Sequence, residues 1–156
     1  MKLRGMIIAL LTVGALAPAA VAQSNLQPTT GEQYVPRLGD IMNAVQTRHI
    51  KLRLAGRAAN WDLAAYQLRQ LKAGLLEAAV LYEGIPVSNV TTMAAPVQSI
   101  ADAIAAKDSQ RFTKAAGELT DGCNACHKSM GRGFIVIQTP TASPFGDQSF
   151  APQKKQ

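Results

Sequence analysis

Cysteine is scarce in this sequence: there are two, together with two histidines, one tryptophan and only 5% aromatic residues. Two cysteines are too few for the disulfide framework that supports many small exported domains. The fold must therefore rest on packed side chains, and few aromatics are present to fill its interior. Charge of one sign is also modest. The formal net charge is +6, from 16 Lys and Arg against 10 Asp and Glu. That balance is moderately basic and is not the footprint of a nucleic-acid-binding protein. No apolar run reaches the roughly 20 residues that a membrane-spanning helix needs. The longest candidate, Met6 to Leu16, is interrupted by Gly14 and followed by Pro18. No internal repeat or low-complexity array is present.

The N-terminus has the layout of a secretory signal. Lys2 and Arg4 precede the short apolar run, and Ala20-Val21-Ala22 supplies a small-residue cleavage site, so cleavage is expected after Ala22. The mature protein is then expected to be periplasmic, with no membrane span left after cleavage. Residues 23–35, rich in Asn, Gln, Pro, Thr and Gly, read as a flexible lead-in.

Four helical patterns follow. Leu38, Ile41, Met42, Val45, His49 and Leu52 recur at three- and four-residue steps, and this first helix is expected to end near Gly56. Asn60 is placed to cap a second helix, whose stripe is Ala64, Leu68, Leu71, Leu75, Ala79 and Tyr82 and whose end is marked by Gly84-Ile85-Pro86. A short ordered connector leads to a third helix starting between Thr91 and Pro96, with Val97, Ile100, Ala101 and Ile104 inward. Asp108 is placed to cap the fourth, along which Phe112, Ala116, Leu119, Cys123, Cys126 and Met130 share a side before Gly131 or Gly133 stops it. Four amphipathic helices with short connections predict an all-α fold, an antiparallel up-down-up-down four-helix bundle over residues 36–131. Gly133 to Ile137 reads as a short extended segment that opens a C-terminal tail, residues 132–156.

Both cysteines and one histidine fall in a single pentapeptide, Cys123-Asn124-Ala125-Cys126-His127. A dithiol redox pair would sit at a helix N-terminus, where the dipole favours a thiolate; this pair sits at the end of a helical pattern. Zinc needs four ligands, and the only other histidine is His49. C-x-x-C-H is the attachment pattern for haem c: the thiols form thioethers with the two vinyl groups, and the next imidazole binds the iron. One covalent haem per chain is expected, and an exported location agrees with its attachment outside the cytoplasm.

A signal peptide, four helices and C-x-x-C-H near the end of the fourth together resemble the cytochrome c-prime family, the class II c-type cytochromes. The resemblance covers roughly Pro36 to Met130. It implies that Cys123 and Cys126 carry the haem, that His127 is the proximal iron ligand, and that a homodimer forms through helices one and two. Beyond the motif this chain has Met130, Gly131 and Arg132 where the family often carries an aromatic residue and then a base.

The opposite axial position should come from early in helix one. Met42 is the candidate there, either as a thioether ligand or as a filler of the core. His49 lies on the same stripe about 10 Å further along the axis at 1.5 Å per residue, and is a second, less favoured candidate. The expected function is single-electron transfer between periplasmic redox proteins, without enzymatic activity. The basic excess in the first two helices suits an acidic partner if it gathers at the haem edge. A gas-binding haem protein with an open distal site, and a haem subunit of a larger oxidoreductase docked by its tail, are the alternatives.

Overall fold

The computed structural model describes residues 34–154. The expected signal peptide, residues 1–22, and all but the end of the lead-in lie outside them. The described residues form an all-α protein of five helices and no strand: α1 (Leu38–Arg57), α2 (Trp61–Leu81), α3 (Val87–Thr92), α4 (Ala94–Ala105) and α5 (Ser109–Ser129). None of them is long and apolar enough to cross a membrane.

The periodic stripes become the core. Ile41, Val45 and Leu52 of α1 pack with Ala64, Leu68 and Leu71 of α2, Ile100 and Ile104 of α4, and Phe112, Ala116 and Leu119 of α5. Small residues set how closely the helices approach. A methyl group on Gly74 would lie 2.7 Å from Val45 Cγ2, and one on Gly56 would overlap the Phe112 ring. Helix α1 ends at Arg57, next to Gly56 as expected, and Gly56 is also a contact point. Facing pairs are given by Gly56 with Phe112 and by His49 with Thr120, whose Nε2 and Oγ1 are 2.8 Å apart.

Three helices end in the same hydrogen-bonded turn. After α1, Ala59 N–H bonds to Gly56 O and Asn60 N–H to Ala55 O, at 3.0 and 2.9 Å. After α4, Lys107 and Asp108 repeat the pattern onto Ile104 and Ala103; after α5, Gly131 and Arg132 repeat it onto Lys128 and His127. Each is a Schellman turn with a left-handed residue at its pivot. The pivots are Ala59 at φ 53°, Lys107 at φ 55° and Gly131 at φ 68°. The two expected N-caps are present: Asn60 Oδ1 accepts from Leu63 N–H, and Asp108 Oδ1 from Gln110 and Arg111 N–H.

The connector before the third expected helix contains α3. Its Ser88 carbonyl accepts from the hydroxyls of Thr91 and Thr92. Met93 keeps helical dihedrals between α3 and α4, and Pro96 sits in the first turn of α4, where a missing N–H is tolerated. Helix α2 stops at Leu81, short of the glycine and proline, because Tyr82 is extended and donates its hydroxyl to Pro36 O at 2.8 Å.

From Gly133 the tail runs without a strand partner back along the helices. Arg53 bonds Thr139 Oγ1 at 2.8 Å, Arg57 bonds the carbonyls of Pro140 and Thr141, and Asn60 bonds Ala151 O at 3.1 Å. Lys51 Nζ sits 4.5 Å over the Phe145 ring.

Candidate functional site

Cys123, Cys126 and His127 occupy the last turns of α5. The three- and four-residue spacing puts all three side chains on one side of the helix, and all three are half-buried. Cys123 packs against the core and Cys126 lies within hydrogen-bonding reach of the Asn89 side chain of α3. No disulfide joins the thiols. Burial and the neighbouring Cys126 push the Cys123 thiol up to about 11, and burial also raises Cys126. A dithiol redox centre needs the opposite shift, so both sulfurs are held as thiols at neutral pH.

His127 is held from behind. Its Nδ1 lies 2.9 Å from Ile135 O. A carbonyl can only accept, so Nδ1 carries a hydrogen here, and in the neutral ring Nε2 is the nitrogen with the lone pair. This contact exists because the Gly131 turn reverses the chain at the end of α5, with the His127 carbonyl itself accepting from Arg132 N–H at 2.7 Å. Asn124, inside the motif, makes a matching pair: its Nδ2 donates to Ile137 O at 2.9 Å and its Oδ1 accepts from Ile137 N–H at 2.7 Å. Ile137 is buried, whereas Phe134, Ile135 and Val136 before it are 78%, 43% and 63% exposed.

Met42 is half-buried at the border of the core. The facing pairs Gly56 with Phe112 and His49 with Thr120 step about two turns along each helix; the same step continued for two further turns would set Met42 level with His127. His49 stands two turns away from that level. Its Nε2 is engaged with Thr120, and Thr120 gives its own hydroxyl hydrogen to Ala116 O, so His49 Nε2 is the donor. Its Nδ1 is buried without a partner, as is Arg53 Nη1. Burial, and then the Arg53 charge one turn away, lower the His49 pKa to about 4, which keeps the ring neutral at pH 7.

A cavity of about 490 Å³ lies between α1 and the tail and is lined by His49; another, of about 440 Å³, lies between α1, the start of α5 and the tail and is lined by Arg53 and Phe112. Neither is lined by Cys123, Cys126 or His127. Among the described residues no three His, Cys, Asp or Glu side chains converge on a metal site, which leaves a haem reading untouched because a porphyrin brings its own four nitrogen donors.

Sequence reading did not single out Asn124, the Ile135 carbonyl or Met93. Met93 is 5% exposed, and its sulfur is 2.7 Å from where a Cβ on Gly122 would lie, one residue before Cys123. The glycine preceding the motif was the available signal for that approach. Comparison with protein-family models, with curated proteins and with solved structures finds no match to this chain.

Proposed function

We propose that this protein is a periplasmic mono-haem cytochrome, related in layout to the c-prime family, that carries single electrons between redox proteins. The observation that carries this reading is the geometry of the motif: Cys123, Cys126 and His127 share one side of the last turns of α5, with His127 Nδ1 held by the Ile135 carbonyl. Cys123 and Cys126 would hold the haem through thioethers and His127 would bind its iron through Nε2. The bound iron would supply one-electron chemistry between its ferric and ferrous states. The chain's own residues do the rest. Ile135 fixes the imidazole, the C-terminal turn of α5 presents it, and half-burial of all three motif residues would leave a bound cofactor within reach of a partner. Met42 would be the second residue to hold the iron, through its thioether.

The facing pairs along α1 and α5, and the short turns after α1 and α4, support an antiparallel bundle of α1, α2, α4 and α5. Tyr66, Leu76 and Val80 are exposed on α2, which suits a homodimer through the first two helices. The tail is packed onto α1, so a docking role in a larger oxidoreductase would compete with its own contacts.

Expression of the full chain in a host that matures c-type cytochromes tests the proposal. Haem should remain with the polypeptide on a denaturing gel, one per chain, and should be lost in the double variant Cys123→Ala, Cys126→Ala. A chain recovered with free thiols and no haem would overturn the reading. A ferrous spectrum unchanged by CO fits the Met-ligated carrier, while a shifted one favours the gas-binding alternative; loss of the low-spin spectrum in Met42→Ala identifies the thioether ligand.

A further inference from the structure

We infer that Asn124 and the segment from Gly131 to Ile137 form a proximal strap that sets the orientation and electron donation of His127, with Asn124 as the positioning residue. This rests on the haem reading of the motif.

The strap has three fixed points within seven residues. At its start, the left-handed Gly131 closes the Schellman turn and aims the chain back along α5. At its end, Ile137 is pinned twice over, by burial of its side chain at 8% exposure and by the paired hydrogen bonds of its backbone to the Asn124 amide. Between these points Ile135 is left with its carbonyl 2.9 Å from His127 Nδ1 and its N–H on Arg132 O at 2.8 Å.

The side chains of Phe134, Ile135 and Val136 are largely exposed, so packing is not what holds this stretch in place. The geometry is held by hydrogen bonds to the backbone, and among the described residues Asn124 is the one side chain that supplies two of them. An amide is the group that suits this task. It offers one donor and one acceptor side by side, so it pairs with the N–H and C=O of a single residue as a neighbouring strand would. Alanine offers neither, aspartate lacks the donor, and glutamine keeps both at one methylene more reach.

A carbonyl on Nδ1–H has two effects on a metal-binding imidazole. It fixes the tautomer and ring plane, and it makes the other nitrogen a stronger donor. A stronger donor favours the ferric state over the ferrous one. Asn124 therefore acts on the iron through Ile137, Ile135 and His127 in turn, without touching it.

The test compares holoproteins of the full chain: wild type, Asn124→Ala, Asn124→Gln, and Thr139→Val, which removes a tail contact with Arg53. Haem content is measured first, because Asn124 is a variable position of the C-x-x-C-H pattern and attachment should be unaffected. In Asn124→Ala the ferric-to-ferrous ratio at the wild-type midpoint should fall by about tenfold, a rise of about 59 mV for one electron. The strap should also become cleavable by proteases between Gly133 and Ile137. Asn124→Gln should recover most of the potential, and Thr139→Val should keep the wild-type value. A cleavable strap with an unchanged potential would overturn the inference and leave the haem reading intact. Absence of haem from the wild-type chain would overturn both.

Discussion

His49 sits 2% exposed with its ring hydrogen donated to Thr120 and its other nitrogen bare. Its pKa is lowered from 6.5 to about 4, first by burial and then by Arg53. The unfolded chain takes up a proton on this ring below about pH 6.5, and the folded chain resists until about pH 4. Stability contributed by the neutral ring is therefore present above pH 6.5 and is lost as pH falls through that window, on the order of 3 kcal/mol in all. Melting temperature measured from pH 7 to pH 4 should fall more steeply for the wild type than for His49→Gln. At Gly56 the expectation is steric: Gly56→Ala overlaps the Phe112 ring and should destabilise by about 1–3 kcal/mol in chemical denaturation, with Gly117→Ala, where a Cβ meets nothing within 4 Å, as the control. The motif and the inward face of His49 were both legible from spacing. The role of Gly56 was not, because a glycine that ends a helix and a glycine that admits a ring look alike until the partner helix is known.

The apolar periods of α1, α2, α4 and α5 became the faces packed on the core, with Ala78 buried in place of the expected Ala79, since a 3.6-residue repeat leaves one side of a helix to be covered. Helix α3 carries no such period in its six residues and was read as connector. Two of the three Schellman turns were also hidden, because Ala59 and Lys107 give no sign of a left-handed backbone. That strain is removable. Ala59→Gly and Lys107→Gly should each stabilise the fold by about 1 kcal/mol, read as a raised denaturation midpoint with an unchanged slope. Removing the caps should act in the other sense, with Asn60→Ala and Asp108→Ala each costing about 1 kcal/mol.

Across the whole molecule, the basic residues of α1 are less a steering surface than the sequence implied. Lys51, Arg53 and Arg57 are engaged with Phe145, Thr139 and the Pro140 and Thr141 carbonyls, so a good part of the local positive charge anchors the tail. Arg37, Arg69 and Lys72, the other basic residues in and beside the first two helices that are exposed, make no such contact with the tail among the described residues. The path of the tail was illegible for a physical reason. It is guided by single polar side chains reaching backbone carbonyls, and such contacts leave no periodic mark. The double variant Arg57→Ala, Phe145→Ala should free residues 141–154 for limited proteolysis while leaving the helical circular dichroism unchanged.

The contacts between Arg57 and Thr141 and between Asn60 and Ala151 join positions 84 and 91 residues apart. Closing loops of that length costs about 4 kcal/mol of chain entropy before any contact repays it, whereas α1 and α2 meet across a three-residue turn. A chain that emerges N-terminus first therefore assembles its helices early and seats the tail last. Until that final step, the end of α5 is open on the side the tail will cover. The order of folding thus leaves an interval in which Cys123, Cys126 and His127 are already aligned on a formed helix before residues 135 and 137 are seated against His127 and Asn124.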